Sequence, residues 1–266
     1  MRYENIDKEI FADVFNYEEL NIGKLDTTLR NAYEEIVNIK NLIQSQKVNY
    51  EAFSSYRNFF RDKEIVIVGA GPTAMQHVSI PGAIYIGVNG ACLLEHIQCD
   101  YLFCQDFYMS EEIREKIVNY RNEQCTKFFG IIPERRMSAC KITPEAMHVR
   151  RGYKKYFDIA KAVPYYIYDM YQNECAYSIE NEPLMADGII FCAMQFALQC
   201  HPKRIYLVGC DCSKGFFYKS TQTFDNSYMI RLWKVIKEYI DELYPNIIVT
   251  SINPVGLKGI FEDIYM

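Results

Sequence analysis

The chain has 266 residues, 50% of them hydrophobic and 24% charged, with a formal net charge of −5 at pH 7. That composition suits a globular protein with one substantial core, and the charge gives no reason to bind nucleic acid, which needs clustered Lys and Arg. No stretch reaches the roughly 18 uninterrupted apolar residues of a membrane span, and MRYENIDKEIFADVF lacks the basic-then-apolar pattern of a signal peptide, so a cytoplasmic protein without a transmembrane segment is expected.

Residues 25–60 carry apolar side chains at helical spacing (Leu29, Ala32, Tyr33, Ile36, Ile39, Leu42, Ile43), with no Gly or Pro between Asp26 and Arg61. One long helix or two are predicted. The apolar stripe needs a partner, either the following domain or a second copy of the chain, so an N-terminal helical extension over 1–61 is expected, with homo-oligomer formation through it as one outcome.

At Lys63 the pattern changes. KEIVIVGAGP is a β-branched run closed by Gly and Pro, as in a strand buried on both faces. AIYIGVNG, CDYLFCQD, CTKFFGII, PKRIYLVGCD and PNIIVTSINP repeat it, each apolar run ending in a polar or small residue. SEEIREKIVNYRNE, DGIIFCAMQFALQC and NSYMIRLWKVIKEYIDELY read as helices between them. The expectation over 62–266 is an α/β domain of Rossmann-like build, a mainly parallel twisted sheet flanked by helices. Ligands bind beyond the carboxyl ends of such strands, so the residues at those ends are the functional candidates. The stretch 135–182, rich in Tyr and basic residues, reads as a solvated, partly helical excursion or as a lid or acceptor-binding insertion.

The ten cysteines lie scattered in apolar contexts and form no CxxC pair, so they read as reduced core residues; Cys210-Asp211-Cys212 is too tight for ordinary paired zinc ligands. Gly69-Ala70-Gly71-Pro72-Thr73-Ala74 follows a strand as a phosphate-binding turn does, its glycines permitting close approach and its amides able to face an anion. NAD or FAD binding is disfavoured. The segment after Pro72 contains Pro81 and Gly82 and leaves room for barely two helical turns, and the next strand ends in Asn89 rather than an acidic residue for an adenosine ribose. No HExxH, DxD pair, GxSxG elbow or Walker loop occurs.

VIVGAGPT, YIGVNG, ADGIIFCAMQFALQCHPKRIYLVGCDC and SINPVGLKGIF, in this order, resemble the sialyltransferase-like bacterial glycosyltransferases (family forty-two) and proteins akin to the archaeal 6-hydroxymethylpterin diphosphokinase. The resemblance covers some 120 residues of the core and implies transfer of a sugar or sugar-like group from a CMP- or CDP-type donor to a surface-glycan acceptor. It implies that Gly69, Gly71, Pro72 and Thr73 meet ribose or phosphate, that Asn89 bonds the same groups, and that Gln105 and Asp106 follow the third strand as polar contacts. It maps Gly188 to the helix start that the nucleotide approaches, and Tyr218 to a phosphate-binding tyrosine. Asp187 replaces a Ser or Thr of the family and is either a nucleotide contact or a helix N-cap.

The family's catalytic histidine after the Gly-x-Asp strand is absent, because no histidine follows His201. Asp211 and Asp225 are the substitute candidates for general base; Asp211 is equally an anchor for its own loop. Transfer is expected to need no cofactor, with magnesium compatible. The alternatives are an ATP-dependent diphosphokinase of the pterin type and a non-catalytic nucleotide-binding or assembly subunit.

Overall fold

The computed structural model describes residues 47–104, 111–121, 123–131, 154–166, 188–212, 215–218 and 227–266. The strands are β1 (Glu64–Val68), β2 (Ile84–Val88), β3 (Tyr101–Cys104), β4 (Thr126–Ile131), β5 (Val163–Tyr166), β6 (Arg204–Val208), β7 (Ile248–Ile252) and β8 (Glu262–Ile264). The α-helices described in full are α1 (Glu111–Asn119), α2 (Lys154–Ala160), α3 (Ile189–Gln199) and α4 (Ser227–Leu243). The strands form one sheet of eight in the order β5-β4-β3-β2-β1-β6-β7-β8. Every pairing is parallel, with Ile65 opposite Ile84 and Ile205, and Val68 opposite Gly87 and Val208. This is the expected Rossmann-like α/β architecture.

Alternation along β1 explains the layers. Ile65 and Ile67 enter one core with α3, with Leu232, Trp233, Ile236 and Ile240 of α4, and with Phe53 and Phe60. Val66 and Val68 enter the other, with Ile117 and Val118 of α1, Ala160 of α2, and Ala74 and Ala91 from the short connections. Both faces of a parallel strand must be apolar for this, which is why β1 reads EIVIV. Helix α3 is buried from Ile190 through Gln199, and Gln195 satisfies its amide locally by donating to the Phe191 carbonyl at 3.1 Å.

The described chain is helical over 47–53 and then changes to a 3-10 turn at Ser54–Tyr56. The helical reading up to residue 60 is corrected here: Asn58 and Asp62 take φ of 59° and 68°, left-handed conformations that asparagine and aspartate tolerate better than most residues. The break lets Phe53 drop into the core, 5.1 Å from the Phe128 ring and 5.8 Å from that of Phe196. Residues 47–60 therefore share the sheet's core, upstream of the boundary expected at residue 62. Residues 1–46, with most of the predicted helical extension, lie outside the described residues.

Two strands are additions to the expected set. β5 lies inside the stretch read as an excursion, and β8 is three residues long. Both are sheet edges. Among the described residues no helix is long and apolar enough to cross a membrane.

Candidate functional site

The chain runs outward from β1 through β2 to β5, then returns to lay β6 on the other side of β1. The carboxyl ends of β1 and β6 thus flank the topological switch point, where connections diverge and open α/β sheets bind ligands.

The glycine turn after β1 is fastened to β6. The Gly69 amide donates to the Val208 carbonyl and the Gly71 amide to the Gly209 carbonyl, both at 2.8 Å, so the parallel ladder continues past the strand ends. A Cβ on Gly69 would stand 2.4 Å from the Gly209 oxygen, and one on Gly71 would stand 2.6 Å from both that oxygen and the Asp211 carboxyl carbon. Gly209 itself has φ 62°. Here the backbones pack against each other, and only glycine leaves them room.

Asp211 closes this arrangement. It is 4% exposed, and its carboxylate accepts from the Thr73 amide at 3.0 Å and, over a short contact, from the Thr73 hydroxyl. Residues Pro72–Gln76 form a 3-10 turn with no side-chain cap from its own N-cap residue, Gly71, so Asp211 supplies the cap from beyond the end of β6. The Asp211 carbonyl in turn accepts from the Gly256 amide at 2.8 Å. Two expectations change. The amides of Gly69, Gly71, Thr73 and Ala74 all donate within the protein, and an anion already holds Thr73, so the turn at Gly69, Gly71, Pro72 and Thr73 does not offer these amides to a phosphate. Asp211, with both oxygens engaged, is an anchor, and the loop it anchors is the one after β1.

The loop after β6 returns over this turn. The Phe217 amide donates to the Ala70 carbonyl at 2.9 Å, and Tyr218 reaches the tip of β2, where a Cβ on Gly90 would be 2.4 Å from its ring. Residues 215–218 therefore form a strap from the β6 side, across the end of β1, to the end of β2. Asn89, with φ 45°, opens the 3-10 turn Asn89–Leu93 beside it. Gly188 is the N-cap of α3, which runs antiparallel to the strands and so begins at this same edge; as a glycine it supplies no side-chain cap of its own, and the Met229 methyl lies 2.9 Å from where its Cβ would be. Asn89, Tyr218 and Gly188 are thus all at the carboxyl edge. Gln105, Asp106, Asp187 and Asp225 lie outside the described residues.

The described histidines are engaged in other contacts. His77 is buried, with Nε2 3.1 Å from the Tyr85 hydroxyl, which accepts from the Ile80 amide at 2.7 Å; burial, then the neighbouring His96, holds its pKa below the ordinary 6.5. His96 Nε2 is 3.2 Å from the Ala74 carbonyl, and His201 sits before β6 at the opposite edge, its ring 5.3 Å from that of Tyr244. Burial pushes the Cys212 thiol up to about 11 and the Cys210 thiol well above its ordinary value. Among the described residues no group of three or more His, Cys, Asp or Glu side chains could hold a metal ion.

Sequence reasoning named Tyr218 but missed the Thr73–Asp211 clamp and the aromatic run, Phe216-Phe217-Tyr218, that Tyr218 closes. The available signal was the run itself, set between two polar segments just after a strand end. No protein-family model matches the chain, and no curated protein matches it significantly.

Proposed function

We propose that the chain is a glycosyltransferase that moves a sugar or sugar-like group from a cytidine-type nucleotide donor to a glycan acceptor. The observation that carries this reading is the meeting, at the switch point, of the ends of β1, β2 and β6 with one strap that joins them. Asn89 offers an amide side chain for ribose, Tyr218 a phenol for phosphate oxygens, and the start of α3 a helix N-terminus whose N-cap is a glycine, of the kind that suits an anion. The donor phosphate in this reading lies at α3 and Tyr218, away from the turn that Asp211 occupies. The acceptor hydroxyl attacks the anomeric carbon, the bond from that carbon to the phosphate oxygen breaks, and the electron pair leaves with the nucleotide. Asp225 is the carboxylate assigned to take the hydroxyl proton.

Thermal-shift measurements with CMP, CDP, UDP, ADP, NAD and FAD test the reading. A ligand at 100 times its Kd stabilises the fold by about 2.7 kcal/mol, or roughly 5–10 °C in a domain of this size. A cytidine nucleotide giving that shift, and glycosyl transfer retained in EDTA, is the expected result; a shift with ADP and magnesium alone would favour the diphosphokinase. The commitment of Asp211 to Thr73, with the His77 and His96 rings turned to Tyr85 and to the Ala74 carbonyl, favours a second reading, a non-catalytic nucleotide-binding subunit. It predicts the same shift without donor turnover.

A further inference from the structure

Between the end of β1 and the start of β2 the chain crosses the sheet through PTAMQHVSIPG, residues 72–82, which hold no acid, Lys or Arg. The connection carries a single 3-10 turn in place of a crossover helix, so there is no apolar helix face to keep it down. From residue 75 to residue 82 only His77 is buried, at 5% exposure, while Met75 and Val78 are 61% and 70% exposed and Gly82 has open space about it. The polar contacts of this stretch converge on one atom. The Tyr85 hydroxyl on β2 lies 3.1 Å from His77 Nε2 and accepts from the Ile80 amide at 2.7 Å.

The His77 ring is bound on one side only. Its Nδ1 is buried and has no hydrogen-bond partner. A neutral imidazole leaves one polar atom unpaired there, whereas an imidazolium would add a charge and a second N–H in a place that offers neither an anion nor an acceptor. Among the described residues the titratable groups facing the ring are Tyr85 of β2, which burial keeps protonated, and His96 of the connection after β2, which carries the same sign when charged. Asp100 is turned to the Tyr85 amide at 2.8 Å, and it and the Cys99 thiol bear on Tyr85. Burial first, and His96 second, hold the His77 pKa below 6.5.

We propose that His77 is an acid-released latch: protonation expels its ring from beneath the crossover and frees residues 75–82 from the sheet while β1 and β2 stay paired. The ends of the freed stretch are fixed independently of the ring, upstream by Asp211 on the Thr73 amide at 3.0 Å and downstream by the ladder between β1 and β2. The closed state binds the proton more weakly than the open one, so closure is complete above about pH 6.5 and weakens as pH falls toward the folded pKa, by up to about tenfold per pH unit.

Native-state amide exchange of the full chain between about pH 7.5 and pH 5.5, corrected for the intrinsic rate at each pH, tests this. Protection of the His77, Ile80 and Ala83 amides, which donate to the Ala74 carbonyl, the Tyr85 hydroxyl and the Ile80 carbonyl, should fall about fivefold or more, while the amides of β1 and β2 keep theirs. His77→Gln, neutral throughout this range, should show no such fall; if it loosens the crossover at every pH, its pH dependence still decides. Tyr85→Phe, which lacks the shared hydroxyl, should have lost protection at Ile80 already at about pH 7.5. Level protection in the wild type, the same fall in His77→Gln, an equal fall across β1 and β2, or wild-type protection in Tyr85→Phe overturns the latch.

Discussion

Replacing Asp211 by Ala separates an anchoring carboxylate from a reacting one. In the fold the carboxylate accepts from the Thr73 amide and the Thr73 hydroxyl while only 4% exposed. Hydrogen bonds to a charged group contribute about 1.5–3 kcal/mol each. Thr73 is half-buried and regains some water when the carboxylate goes, and the desolvation of Asp211 is relieved, so the net loss for Asp211→Ala is about 3 kcal/mol. In a unit of this size that lowers the melting temperature by roughly 6–12 °C. Asp211→Asn keeps the shape and one acceptor oxygen, and its loss is about 1 kcal/mol. Thr73→Ala removes only the hydroxyl; in urea unfolding its effect and that of Asp211→Ala should fail to add, with a coupling of about 1 kcal/mol or more. If Asp211→Ala melts within about 2 °C of wild type, or if the two substitutions add to within about 0.5 kcal/mol, the clamp is not what holds the turn.

Other consequences follow from the same geometry. Because the folded pKa of His77 lies below its ordinary 6.5, chiefly through burial, its contribution to stability is complete above that value and is lost as pH falls through the folded pKa. The melting temperature should therefore drop between about pH 7 and pH 5.5, with a shallower slope in His77→Gln; His201, also lowered by burial and then by Arg61 and Arg57, contributes to the slope that remains. Gly69→Ala drives a Cβ to 2.4 Å from the Gly209 carbonyl and should cost several kcal/mol in urea unfolding, whereas Gly82→Ala meets nothing within 4 Å and should cost only about 1 kcal/mol for its φ of 77°. With Cys140 and Cys175 replaced by Ser, the eight remaining thiols should react with a disulfide reagent far more slowly in the folded protein than in guanidinium. Burial holds Cys212 at about 11 and Cys92, Cys125 and Cys192 at about 12, so their thiolate fractions near neutrality are small. A fast-reacting thiol in the native state would contradict that burial.

What could be read from the sequence was local. β1, β2, β3 and β6 sit at the sheet's centre and β4 and β7 one strand in from its edges; all six are covered on both faces and so print as apolar runs. β5 carries Pro164 and is an edge, where a missing amide is tolerated; the same proline argues against a strand to anyone reading the chain. β8, with Glu262 and Asp263 in its three residues, has no apolar run to read, and its Glu262 is held by Thr250 of the adjacent β7 at 2.7 Å and by Arg204 of β6 at 2.6 Å. The end of the helix at residue 53 has no Gly or Pro to announce it, because tertiary docking of Phe53 and Phe60 decides it. The clamp joins residues 138 apart, and neither Thr73 nor Asp211 is unusual in its own surroundings.

The glycine turn shows why such a motif weighs less than it seems when read alone. A Gly-x-Gly after a strand suggests a phosphate because the glycines let an anion approach the backbone. In this protein the approaching group is the chain itself: the Gly209 carbonyl stands where side chains of Gly69 and Gly71 would be, and Asp211 supplies the negative charge at the amide that a phosphate would take. The same two glycines are required whether or not a ligand ever binds. A phosphate brought about 4 Å from that carboxylate would also meet a repulsion of about 4 kcal/mol at a near-surface dielectric, more than one added hydrogen bond returns. That repulsion weighs against a phosphate at the turn itself, whatever the rest of the carboxyl edge binds.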